Sequence, residues 1–220
     1  MKKQLGLFIL LISIPGVALF AQRRITEATV RYTISLQSEK DSAYGKLLQG
    51  AVHTCYLKGP GSRTDLETTL GKQSTIIQGK TGSVTLLKEY GPQHYLIQLT
   101  PSQWDSVNIR YEDSKLELLS DTTTILGYPC RNATVTLKDG TTYTVWYTTA
   151  LQPVYREFQQ MGKTLPGLLM EYESSWGGVN VRYRIAQINF NPVQQSVFDI
   201  PSSGYRVLSY EESKAFGANQ

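Results

Sequence analysis

Apolar side chains recur at every second residue over long stretches of this chain, the pattern of an extended strand that buries one face. Ala28, Val30, Tyr32, Ile34 and Leu36 fall on one side of the first such stretch, with Thr29, Arg31, Thr33, Ser35 and Gln37 on the other. Ala133, Val135 and Leu137 alternate with Thr134, Thr136 and Lys138. After Asp139-Gly140 the alternation resumes with Tyr143, Val145 and Tyr147 against Thr142, Thr144, Trp146 and Thr148. An Asp-Gly pair readily takes the positive φ angles of a tight turn, so these two runs read as a hairpin. The spacing predicts further strands over 51–58, 62–70, 73–79, 83–89, 94–99, 152–159, 167–174 and 179–190. They are divided by turn residues such as Gly59-Pro60-Gly61, Gly91-Pro92 and Gly177-Gly178. In the last of them the apolar phase moves from Val181, Tyr183 and Ile185 to Ala186, Ile188 and Phe190, the mark of a β-bulge. So many consecutive strands on short turns imply a mainly β fold, a meander curling into an open or closed barrel.

Helical signals are few. Thr100-Pro101 with Gln103 has the form of a capping box with proline at the first helical position, and Trp104, Val107 and Tyr111 then share one side. Ser209 with Glu212 opens a second, C-terminal helix that Gly217 would end. Residues 38–50 fit either a polar loop or a helix carrying Leu47 and Leu48.

The N-terminus has the three parts of an export signal. Lys2 and Lys3 precede an apolar run from Leu5 to Ile14, Pro15-Gly16 breaks it, and Ala21 offers a small residue before cleavage at Gln22. The alternative is an uncleaved anchor, but the run is shorter than the ~20 residues that span a bilayer. Residues 22–220 then read as one domain without repeat or linker, with no transmembrane segment after signal removal, placed in the periplasm or secreted. The whole chain carries a net charge of +4, two of whose lysines lie in the leader. That near-neutral balance argues against nucleic acid as a partner, because nucleic acid needs a basic face to displace counterions. In an oxidising compartment Cys55 and Cys130, the only cysteines, are candidates for a disulfide. Two free buried thiols, or one nucleophile, are the alternatives.

No catalytic constellation is legible, and no cofactor or metal is implied. Two histidines and two cysteines in scattered positions lack the spacing of a zinc site. His53 and Cys55 would share a strand face, as an activated thiol requires, yet an ordinary strand carries such a pair as readily. Glu171 and Glu173 also share a face, the arrangement of either a carboxylate pair or a solvated strand side. Asn132-Ala133-Thr134 matches a glycosylation triplet, and Gly71-Lys72-Gln73-Ser74 lacks the upstream glycine of a phosphate loop. What the strand faces offer instead is aromatic area with polar tips. Tyr32, Ile34, Val135, Tyr143, Val145, Tyr147, Leu168, Met170 and Tyr172, with Tyr183 and Trp104, are the candidate lining of a cavity, against the alternative of a filled core.

Leu165-Pro166-Gly167-Leu168-Leu169-Met170-Glu171 resembles the motif of the GLPGLI family of exported Bacteroidetes proteins. Thr164 stands where that motif has a further glycine, and Met170 where it ends in isoleucine. Gly127-Tyr128-Pro129-Cys130 and Thr144 to Thr148 fit the same family's pattern, and Phe198-Asp199-Ile200-Pro201 with Gly204-Tyr205 resembles the closing segment of related proteins similar to the periplasmic lipoprotein carrier LolA. The resemblance covers most of residues 24–208. It implies a strongly curved antiparallel sheet, an incomplete β-barrel, around an apolar groove with a few short helices as lid, Trp104 among the lid residues. The function it implies is non-enzymatic binding or carriage of a lipid or lipoprotein acyl chain in the cell envelope. The alternative is an envelope module that engages a protein partner and has no ligand cavity.

Overall fold

The computed structural model describes residues 22–37, 43–176 and 179–217. The expected export signal and the Gly177-Gly178 turn lie outside them. A short strand β1 (Arg23–Ile25) leads into β2 (Glu27–Leu36), the alternating run read from the sequence, whose even-numbered side chains from Ala28 to Ile34 are buried. Helix α1 (Ala43–Leu48) is followed by a five-strand meander: β3 (Val52–Lys58), β4 (Gly61–Thr68), β5 (Gly71–Gln78), β6 (Ser83–Tyr90) and β7 (Gln93–Leu99). Helix α2 (Pro101–Val107) begins with the expected capping box, Thr100 and Gln103 each bonding the other's backbone amide. Then come β8 (Lys115–Ile125), β9 (Tyr128–Thr136), β10 (Thr142–Thr148), β11 (Leu151–Pro153), β12 (Leu168–Trp176) and β13 (Val179–Asn189). The chain ends with β14 (Arg206–Leu208) and α3 (Tyr210–Gly217), capped by the reciprocal Ser209–Glu212 bonds.

Twelve of these strands form one mainly antiparallel sheet, in the order β14-β7-β6-β5-β4-β3-β2-β13-β12-β10-β9-β8. The return of β13 to pair with β2 joins the two meanders, and the expected bulge interrupts that pairing between Ile185 and Gln187. The sheet is not closed: β14 and β8 are its edges. Two pairings depart from the antiparallel expectation, β14 with β7 and β1 with β11, both parallel. β8 was not legible, because its central residues (Leu118-Leu119-Ser120-Asp121) break the period of two and the strand lies exposed at an edge. The strand expected over 152–159 shrinks to Leu151–Pro153, after which the chain runs irregularly, but for one 3-10 turn (Gln160–Gly162), to β12.

The core is divided by the sheet. Over β5, β6 and β7 both faces are buried. Ile77, Val84, Tyr95, Ile97 and Leu99 pack with Trp104, Tyr155 and Tyr210 on one side. On the other, Ile76, Leu87 and Leu96 are covered by Ile200 and Tyr205 of the C-terminal segment. That segment is pinned by polar contacts as well. Glu27 accepts from the Val193 amide and from Lys58 Nζ, both at 2.7 Å. Arg63 donates to the Val197 carbonyl at 2.9 Å, and Tyr205 to the Glu89 carboxylate. Arg63 and Lys72 also bracket buried Asp65 at 2.7 and 2.8 Å.

Candidate functional site

The register of four neighbouring strands lines up an aromatic band. Across the sheet Tyr172 lies opposite Tyr183, Ile185 opposite Tyr32, and Tyr32 opposite His53, so β12, β13, β2 and β3 each place one ring on the same face. Tyr172 and Tyr183 stack at 4.6 Å between centroids, and His53 meets the edges of Tyr32 and Tyr183 at 5.8 and 5.7 Å. Tyr32 donates its hydroxyl to the Leu169 carbonyl at 2.7 Å, which fixes the band against β12. The roof comes from outside the sheet: Asn108 and Tyr111 follow α2, while Phe158, Gln159, Gln160 and Met161 belong to the irregular run before β12. Between floor and roof is a cavity of about 200 Å³ that also meets Cys55, Leu169 and Ser174.

Gln159 holds the roof in place. Its side-chain amide donates to the Gly162 and Gly167 carbonyls and accepts from the Leu169 amide, tying the irregular run to the start of β12. The roof carries no periodic signal, so Asn108, Phe158, Gln159 and Met161 were not legible as site residues. For Tyr111 the sequence indicates only a place on the face of a helix.

Of the residues expected to line a cavity, the structure brings Tyr32, Tyr172 and Tyr183 together around one. Ile34, Leu168 and Met170 are buried in the central core, and Val135, Val145 and Tyr147 in the cluster over β9 and β10. Tyr143 belongs to that second cluster and lines a separate polar cavity. Trp104 packs over β6 and β7 and takes no part in the roof. Leu165, Leu168, Leu169 and Met170 of the motif are buried while Pro166 is exposed, and Gly167 is there for contact: a Cβ on it would lie 1.9 Å from the Thr148 carbonyl oxygen.

Cys55 and Cys130 are not bridged; both are free and buried. The strand order explains why. β2, β13, β12 and β10 separate β3 from β9. No strand pairing therefore sets the two cysteines opposite each other. Cys55 Sγ instead lies 3.1 Å from His53 Nε2. Burial raises the Cys55 thiol well above its ordinary range and lowers His53 to about 4, so near neutrality the pair is a thiol beside a neutral imidazole. Burial likewise raises Cys130 to about 11 and holds the phenols of Tyr32 and Tyr172 protonated. Glu171 and Glu173 stand opposite Arg184 and Arg182 on β13 and ion-pair with them, which makes them a cross-strand charge ladder. Asn132 is buried and donates to Asp121, so the glycosylation triplet is not presented at the surface. Among the described residues no cluster of three or more His, Cys, Asp or Glu could hold a metal ion. No helix there is long and apolar enough to cross a membrane.

Residues 96–212, more than half of the chain, match the family described as N-glycanase peptide, N-terminal domain. The chain belongs to that family. The matched stretch runs from β7 to α3 and includes the roof together with two strands of the aromatic floor. No curated protein matches. Among solved structures, PNGF-II is similar at 14% identity and a TM-score of 0.49, over 87% of this chain and 32% of that one. The chain thus spans about a third of PNGF-II. An uncharacterized conserved protein from Thermus thermophilus aligns over 82% of this chain and 90% of its own, at 8% identity and a TM-score of 0.50. The LolA superfamily protein NE2245 from Nitrosomonas europaea aligns over 79% and 89%, at 11% and 0.30. Of these three the Thermus thermophilus protein reaches a TM-score of 0.50, and at 8% identity that likeness is one of fold alone. The resemblance of residues 165–171 to the GLPGLI motif stays a reading of the sequence.

Proposed function

We propose that this N-glycanase-type N-terminal domain is a non-enzymatic binding module of the cell envelope, whose tyrosine-lined cavity receives an apolar group. The observation that carries the reading is the joint state of the residues around that cavity. Burial raises its thiol and the phenols of Tyr32, Tyr111 and Tyr172, its imidazole is held neutral, and no carboxylate belongs to its lining. Such walls offer surface and hydrogen bonds, with no activated nucleophile or base. The volume of about 200 Å³ falls below the roughly 300–1,000 Å³ of pockets that enclose a whole small ligand. A single acyl chain, or the end of one, suits it better than a multiply acylated lipoprotein. The periplasmic or secreted location rests on the export signal read from residues 1–21.

A displacement titration tests the reading: purified protein loaded with a fluorescent fatty-acid probe is challenged with short-chain and long-chain alcohols. Saturable binding that falls when Met161→Trp fills the cavity is expected. Absence of binding with the wild type would sink the carrier reading.

A second reading has its own observation. β8 is an eleven-residue edge strand, interrupted between Leu118 and Thr122, with Leu118 and Leu119 exposed. An extended segment of an envelope protein could add to it as a further strand. Crosslinking in cells from position 118, recovering one specific partner, would favour this reading over the cavity.

A further inference from the structure

Beside the tyrosine cavity, and sharing only Ser174 with it, opens a polar cavity of about 550 Å³. This volume lies within the range of pockets that hold a small molecule. Arg110, from the turn after α2, is half-buried at its wall. Its Nη2 lies 3.4 Å from the Tyr143 hydroxyl, and its Nε has no hydrogen-bond partner among the described residues. None of the ion pairs among those residues includes it. Glu173 also lines the cavity, but its carboxylate is taken by Arg182 at 2.8 Å. A guanidinium partly withdrawn from water and left without a carboxylate in contact is a seat for an anion, since its fork matches carboxylate and phosphate oxygens. The remaining wall consists of Thr141, Thr142, Ser174, Ser175 and Asn180, hydroxyls and an amide that both donate and accept. Walls of that kind recognise ligand hydroxyl groups and give little to an acyl chain.

We infer that this cavity binds a small polyhydroxylated anion of the sugar-acid or sugar-phosphate class, with Arg110 holding the charged group. The site is distinct from the tyrosine cavity, with Ser174 as the one wall residue they share.

Titration of the full chain with D-glucuronate, glucose 6-phosphate, D-glucose and inorganic phosphate, followed by amide NMR, tests it. At least one sugar anion should bind about tenfold or more tightly than both glucose and phosphate, shifting the amides of Thr142, Ser175 and Asn180. Which of the two anions binds tighter identifies the charged group as carboxylate or phosphate. Arg110→Gln should erase the preference over glucose. Asn180→Ala, at an exposed position, should weaken the sugar anion several-fold with an unchanged melting temperature. Equal binding of all four probes, binding of phosphate as tight as that of the sugar anions, or no binding would overturn the inference. Indifference of the sugar anion to Arg110→Gln would do so too.

Discussion

At the scale of single residues, the chemistry around the cavity is set by burial. The buried sulfurs of Cys55 and Cys130 are free, so denaturing the protein without reductant should release two alkylatable thiols per chain. Before denaturation neither should react at an appreciable rate, because a reactive thiolate needs exposure and a lowered pKa. Mass spectrometry after maleimide treatment reads both states, and an unreduced chain that stays unmodified would restore the bridge. His53 gives a pH dependence with a definite sign. Its imidazole stays neutral down to about 4 in the folded chain and protonates near 6.5 when unfolded. Above 6.5 its contribution to stability is whole. Between 6.5 and 4 the unfolded state takes a proton that the folded state refuses, so stability is lost as the pH falls through that window. The loss is at most about 3 kcal/mol, and His53→Gln should flatten it. Urea midpoints at pH 7, 5.5 and 4.5 for both proteins decide; parallel curves would assign the drop to other groups.

At the scale of elements, the hairpin, both helix caps and the β13 bulge were legible because each is written within a few neighbouring residues. Asp139-Gly140, Thr100 with Gln103, and Ser209 with Glu212 satisfy local backbone groups or turn geometry, and no distant contact is needed to specify them. β8 and β14 were not legible. One has a broken period and the other is three residues long, held by pairing with β7 and by the burial of Leu208. The Leu165–Glu171 motif changes meaning at this scale, since its glycine secures close approach of β12 to Thr148. Gly167→Ala should cost about 3 kcal/mol and free the Leu168–Thr148 end of the β10–β12 ladder. Gly140→Ala meets open space, so only its left-handed φ of 85° is penalised, by about 1 kcal/mol. Chemical denaturation with hydrogen exchange at β12 separates the two cases, and equal costs would refute the close-contact account.

At the scale of the whole molecule, the C-terminal segment is a strap across one face of the sheet. Ile200 and Tyr205 cover Ile76, Leu87 and Leu96, while Val193, Val197 and Tyr205 are tied to Lys58, Glu27, Arg63 and Glu89. Deleting residues 191–220 should expose that apolar face and, through loss of Leu208 and Tyr210, part of the opposite one, lowering soluble yield and raising binding of a hydrophobic dye, because an uncovered patch of this kind associates. A truncated chain as soluble and as cooperative in unfolding as the full one would contradict the strap. By itself, the sequence determined the β class, most strand positions, the helix caps and the tyrosines available for a cavity, all of which follow from period and local hydrogen bonding. Only the tertiary structure decided which tyrosines meet, that the cysteines stay apart, and that an irregular run forms the roof. Those facts depend on strand order and cross-strand register, which bring together residues more than a hundred positions apart without any repeating pattern to announce them.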